Sequence, residues 1–177
     1  MEAQMGRRMS IDFGDKLCKR KHRWLFQLTS NNGEVIGDGS LNTLPPLKTS
    51  RPTLVFKEMS AQHLNEEVFY PAKPDWKPIQ ITLYDIKTNG NHPVFEWLKS
   101  LYDPEDQAKW SAPVDSGFIR PNATLTLFDG CGEVVERWVY QSVWPQTVDF
   151  QQLDMGLSEY VTCDLILRYV RAYIEEF

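Results

Sequence analysis

Alternation of apolar and polar residues, rather than helical spacing, dominates this chain. Ile79, Ile81 and Leu83 face one way against Gln80, Thr82 and Tyr84, a period of two that predicts a strand over 79–85. The pattern returns where Ala123, Leu125 and Leu127 alternate with Thr124 and Thr126. It returns again where Val161, Cys163, Leu165, Leu167 and Tyr169 alternate with Thr162, Asp164 and Arg168, which predicts a last strand over 160–169. Asp129-Gly130-Cys131-Gly132 supplies a tight turn, so 123–143 predicts a hairpin whose return strand Trp144-Pro145 stops. The apolar run 24–29 and the segment 53–59 predict two further strands, and Val35 and Ile36, between Gly-rich turn signals, predict a small hairpin. Residues 41–51 read as irregular because of Pro45-Pro46. Residues 60–71 fit a helical turn or one arm of a hairpin, and Pro71, Pro74 and Pro78 exclude a helix after them.

One segment has helical period. Val94, Trp97, Leu98 and Leu101 follow Pro93 at i, i+3, i+4 and i+7, predicting a helix over about 91–102. Asp103-Pro104 ends it, and residues 103–121 read as a long loop. The order of strands, one helix, then strands predicts a mainly β domain, two antiparallel sheets in a barrel or sandwich with one flanking helix. It occupies 23–177, behind a basic arm at 1–22.

The 177-residue chain, with 42% hydrophobic and 24% charged residues, has the composition of one globular domain. Its N-terminal region lacks the apolar stretch of a secretory signal, and no apolar run is long enough to span a bilayer as a helix. Charge is uneven. Residues 1–23 hold seven basic and three acidic side chains, while the remaining 154 hold 12 basic and 21 acidic, giving +4 and −9 for a net of −5. An acidic body is not the footprint of a duplex-DNA reader. Lys19-Arg20-Lys21 reads as a solvated arm or one docking on an acidic neighbour copy, with a nucleic-acid tail as the competing reading. Cys18, Cys131 and Cys163 are widely spaced and read as free thiols in a reducing compartment.

Candidate chemistry is sparse. His22, His63 and His92 form no metal-binding pair, and no P-loop, GxGxxG or GxSxG motif occurs, so no metal, cofactor or catalysis is expected. His63 with Glu66 and Glu67 reads as an exposed polar segment, and Gly130-Cys131-Gly132 as a plain turn. Trp138, Tyr140 and Trp144 read as core or subunit packing; a nucleic-acid-binding β-barrel would instead use Trp138 and Tyr140 with the 19–23 cluster to stack bases.

Two stretches carry a resemblance. One is YPAKPDWKPIQITLYD, 70–85, followed by the helix HPVFEWLKSLYD; the other is VWPQTVDFQQLDMGLSEYVTCDLILRYVRAY, running towards the C-terminus. In their order they resemble the tail-tube proteins of contractile-tailed bacteriophages, and more distantly the type VI secretion tube protein and extracellular contractile injection systems. The resemblance implies a tail-tube-type β-barrel in stacked hexameric rings around a channel through which DNA passes. The implied partners are further copies of the chain with tail sheath and baseplate proteins, and no membrane. The implied location is a virion tail assembled in the host cytoplasm, as main tube subunit or baseplate tube initiator. Residues 59–76 would correspond to a projecting hairpin or loop that touches neighbouring copies. Leu64, Val68, Phe69, Tyr70 and Trp76 are the expected interface residues, with Phe69 and Tyr70 poorly buried in one subunit alone. Gln80, Thr82, Thr124 and Thr126, on polar strand faces, are the expected channel lining.

Overall fold

The computed structural model describes residues 19–29, 41–87, 92–102 and 121–175. The predicted hairpin around Val35 and most of the predicted loop after the helix lie outside them. Ten strands fall among the described residues. Strands β1 (Trp24–Thr29), β6 (Asn122–Phe128), β7 (Val134–Gln141) and β10 (Arg171–Glu175) form one sheet in the order β1-β6-β7-β10. Strands β2 (Pro46–Thr49), β5 (Ile79–Tyr84), β9 (Thr162–Arg168) and β8 (Trp144–Asp149) form a second in the order β2-β5-β9-β8. Among the described residues, strands β3 (Thr53–His63) and β4 (Glu66–Lys77) pair only with each other. Every pairing is antiparallel.

The alternation read from the sequence is what joins the two sheets. Ile79, Ile81 and Leu83 on β5 and Cys163, Leu165 and Leu167 on β9 are buried. They share one apolar cluster with Phe26, Leu28, Ala123, Leu125, Tyr140 and Ala172 of the other sheet. Helix α1 (Pro93–Leu101) starts with Pro93 in its first turn, where a missing N–H costs nothing. Its Val94 and Trp97 join the same cluster beside a short 3-10 turn at Leu41–Thr43. His92 at its N-cap lies 3.1 Å, Nε2 to Oδ1, from Asp85 at the end of β5.

Several expectations are corrected. Among the described residues the strands form two four-stranded antiparallel sheets and the β3–β4 ribbon, without the closed barrel that was expected. The return strand ends at Gln141, just before Trp144-Pro145, but that pair then opens a further strand, β8, at a sheet edge among the described residues, where a missing N–H removes no ladder bond from a neighbour. The chain changes sheet at that corner. Ser142 takes a left-handed φ of 53°, its N–H donates to Asn122 Oδ1 at 3.1 Å, and Val143 N–H donates to Pro121 O at 2.7 Å. Residues 46–49 are not irregular but pair with β5, and 53–59 is the start of a strand that continues to His63. The chain does not end its strands at Tyr169. Val170 N–H donates to Gln141 O at 3.0 Å and β10 returns to the first sheet. At the β6–β7 turn, Asp129 Oδ1 accepts bonds from Cys131 N–H at 2.7 Å and Glu133 N–H at 2.9 Å, with Gly132 at φ 92°.

Candidate assembly surfaces

The β3–β4 hairpin is a two-stranded ribbon of 11 and 12 residues, extending about 35 Å at the usual rise per residue. Among the described residues no strand pairs with its outer edges, which is where Pro71 and Pro74 are tolerated within β4. A register shift between Phe56 and Glu58 bulges the ribbon. Beyond the bulge, Met59 pairs with Tyr70 and Ala61 with Val68, so these four side chains share one face. Ser60 pairs with Phe69 and Gln62 with Glu67 on the other. Phe69 is 61% and Tyr70 53% exposed in the single subunit, and Met59 and Val68 are exposed beside them. Leu64 is 93% exposed at the tip and holds a left-handed φ of 54°. An ordinary ribbon would return such side chains to a core, since apolar burial is the main reward for ordering them.

Trp76 behaves differently. It is half-buried at the root of the ribbon, packs against the subunit's own core, and meets Tyr169 with ring centroids 6.0 Å apart. Asp75 beside it accepts from Lys77 Nζ at 2.9 Å and lies 3.6 Å from Arg168 Nη2. Trp76 thus anchors the ribbon to its own body and remains partly exposed there.

The four residues expected to line one channel fall on two sheets. Gln80 and Thr82 lie on the outer face of β5, opposite the buried Ile79, Ile81 and Leu83. Thr124 and Thr126 lie on the outer face of β6, opposite the buried Ala123 and Leu125. The outer faces of two packed sheets point away from each other, so one channel cannot be lined by both pairs. Thr126 is also only 5% exposed. Leu25 and Arg137 flank it on the adjoining strands, and Arg137 Nε donates to its Oγ1 at 3.3 Å. By contrast the Gln80 side chain is exposed. Thr82 donates to Asp164 Oδ1 across the ladder, and Gln151 Nε2 reaches Asp164 Oδ2 at 2.7 Å.

One feature escaped the sequence reading. Glu136 points inward from β7 and is 4% exposed. Its carboxylate accepts bonds from Lys19 Nζ, Arg51 Nη2 and Trp138 Nε1. Burial works to raise its pKa; the bonds from Lys19 and Trp138 and the charges of Arg51 and Lys19 outweigh it, so the net shift is downward. Lys19, from the basic cluster, therefore docks on its own body. Nearby, a cavity of about 630 Å³ opens at the end of the sandwich. Trp24, Leu47, Leu125 and Leu127 give it apolar walls, and Lys19, Arg20, Lys21, Lys48 and Arg51 line it with cations. Base stacking by Tyr140 is excluded, because that ring is fully buried and packed edge-on against Tyr169.

No family model matches the sequence, and no curated protein matches it. Solved structures do. A chain in the six-fold symmetrised anti-feeding prophage baseplate matches with TM-score 0.64 at 15% identity, over 90% of this chain and 97% of that one. A chain in the sheath/tube terminator of the extracellular contractile injection system PVC matches with TM-score 0.67 at 13% identity, over 92% and 100%. A chain in the tube-terminating cap of the anti-feeding prophage matches with TM-score 0.66 at 14% identity, over 96% and 99%. Identities this low speak to fold. The chain thus shares its fold, over nearly its whole length, with chains in baseplate, terminator and cap structures of contractile injection systems.

Proposed function

We propose that this chain is a non-catalytic structural subunit of the tube of a contractile injection system, in which six copies form a ring and rings stack around a channel. The observation that carries this reading is the β3–β4 ribbon, which leaves the body with Met59, Val68, Phe69 and Tyr70 uncovered. Exposed apolar side chains on both faces of a projecting element are a surface made for another protein. The shared fold supports the same reading. So do the sheet edges at β1, β10, β2 and β8, which among the described residues offer unpaired backbone groups to a neighbour. The proposed partners are further copies of the chain and the sheath and baseplate proteins of such a device, and its proposed location is the assembled tail. A second reading, a phage tail tube ejecting DNA, is favoured by the net charge of −9 over residues 24–177, since a wall of like charge does not retain a polyanion. Sedimentation velocity over a wide concentration range, with negative-stain imaging of the heavy fraction, tests the assembly. Rings or stacked rings are expected. A monomer at every concentration would end the tube reading.

A further inference from the structure

The cavity beside Glu136 has an unusual chemistry. Its walls are apolar, and five cations line it, of which Lys19 and Arg51 already serve Glu136. Arg20, Lys21 and Lys48 have no ion-pair partner among the described residues and are exposed. A ligand that fits must bring an apolar side chain flanked by carboxylates. Among the described residues several exposed segments join apolar side chains to carboxylates, including Glu58-Met59, Leu153-Asp154-Met155, Glu159-Tyr160 and Ile174-Glu175. Asp154 is engaged by Gly156 N–H at 2.8 Å, and Glu175 is bound to Arg137 at 3.0 Å. The tip of the β3–β4 ribbon combines two adjacent carboxylates with the most exposed leucine among the described residues. Its Leu64 is 93% exposed, and Glu66 and Glu67 are exposed with no ion pair among the described residues. The tip also carries strain. Leu64 holds φ 54° in the two-residue turn between the paired His63 and Glu66, which calls for a left-handed residue that Gly or Asn would supply more cheaply.

We propose that the tip of the ribbon, Leu64 with Glu66 and Glu67, seats in the cation-lined cavity of a second copy of this chain. The inference rests on the assembly reading above and names the receptor for the ribbon. The contact must be between copies. Arg51, which lines the cavity, stands two residues before the root of β3, so the tip lies about 35 Å from its own cavity along an 11-residue strand. Leu64 takes the apolar walls, while Glu66 and Glu67 meet Arg20, Lys21 and Lys48. Because tip and cavity are different surfaces, the contact is head-to-tail and repeats from copy to copy, which generates rings or filaments rather than closed pairs.

A charge exchange tests it on the full chain by sedimentation velocity. Reversal of the tip, Glu66→Lys with Glu67→Lys, raises the concentration at half assembly by at least about tenfold, since like charges then face each other. Reversal of the cavity, Lys21→Glu with Lys48→Glu, does the same. All four together bring assembly back to within about threefold of wild type. All four positions are exposed, so the thermal midpoint of the monomer serves as the folding control. Leu64→Asn also loses assembly while its monomer melts no lower. Tip variants that assemble like wild type, or a four-fold variant that is not restored, overturn the proposal and leave the tube reading standing. Cavity variants that assemble normally but no longer retain oligothymidylate would assign the cavity to nucleic acid and overturn it equally. A wild-type chain that never assembles removes both.

Discussion

Glu136 occupies a position where alternation along β7 calls for an apolar side chain, and it stays charged because three donors surround it. Its depressed pKa means that its stabilisation is complete above the ordinary carboxylate range and is lost as pH falls through the depressed value. Glu136→Gln is expected to lower unfolding stability by about 1.5–3 kcal/mol near neutral pH, the usual worth of bonds to a charged group. In urea titrations the difference between variant and wild type should shrink as the pH falls below about 4. A difference that stays constant with pH would mean that the Glu136 charge does not matter. Tyr140 carries the opposite lesson. Its hydroxyl is buried without a hydrogen-bond partner among the described residues, and burial pushes its pKa far up. Tyr140→Phe removes the orphan group and keeps the ring against Phe26 and Tyr169, so a gain of about 1 kcal/mol is expected in urea unfolding. A loss would show that the hydroxyl has a partner in solution.

At the scale of elements, the ribbon and the sandwich are separable. The ribbon touches the core through its root, at Trp76, while residues 53–62 and most of β4 are exposed. Replacing residues 57–73 by Asn-Gly, which joins the paired Phe56 and Pro74, should therefore shift the melting temperature by less than about 4 °C. The same variant should remain monomeric where wild type assembles. A collapse of the melting temperature in calorimetry would show instead that the ribbon is part of the folding unit. The short edge strands β2 and β8 behave otherwise, since each lies against a buried central strand and cannot be removed without uncovering core.

For the whole molecule, the decisive fact is that two polar strand faces look in opposite directions. Only one sheet's outer face can border a given channel, and the wetter candidate is the face of β5 that carries Gln80 and Thr82. Gln80→Lys should change stability by less than about 0.5 kcal/mol, because the side chain is already in water. Thr126→Lys should cost about 1–2 kcal/mol, because it forces a second cation under Arg137 at a covered site. If the β5 face borders the channel, assembled Gln80→Lys tubes should also retain oligonucleotides more strongly than wild type at low salt. Equal stability losses for the two variants, by urea midpoint, would contradict the burial difference. Unchanged retention would remove the β5 face from the channel.

The sequence by itself determined the parts of this protein that are local. Strict alternation named β5, β6 and β9, because a period of two fixes which side chains share a face whatever lies beyond it. Asp129 and Gly132 fixed the β6–β7 turn, and Pro93 with an i, i+3, i+4 stripe fixed α1. Exposed Phe69 and Tyr70 were legible as apolar residues without a core pattern. Tertiary structure alone decided what depends on partners distant in the chain. It paired the proline-bearing segments 46–49 and 144–149 as edge strands among the described residues, where a missing N–H is harmless. It sent Gln80 and Thr124 to opposite sides, since a strand pattern defines a face but not the direction in which its sheet is packed. It also brought Lys19 and Arg51 to Glu136, 117 and 85 residues away, an arrangement that no local pattern encodes because charge meets charge only once the chain has closed on itself.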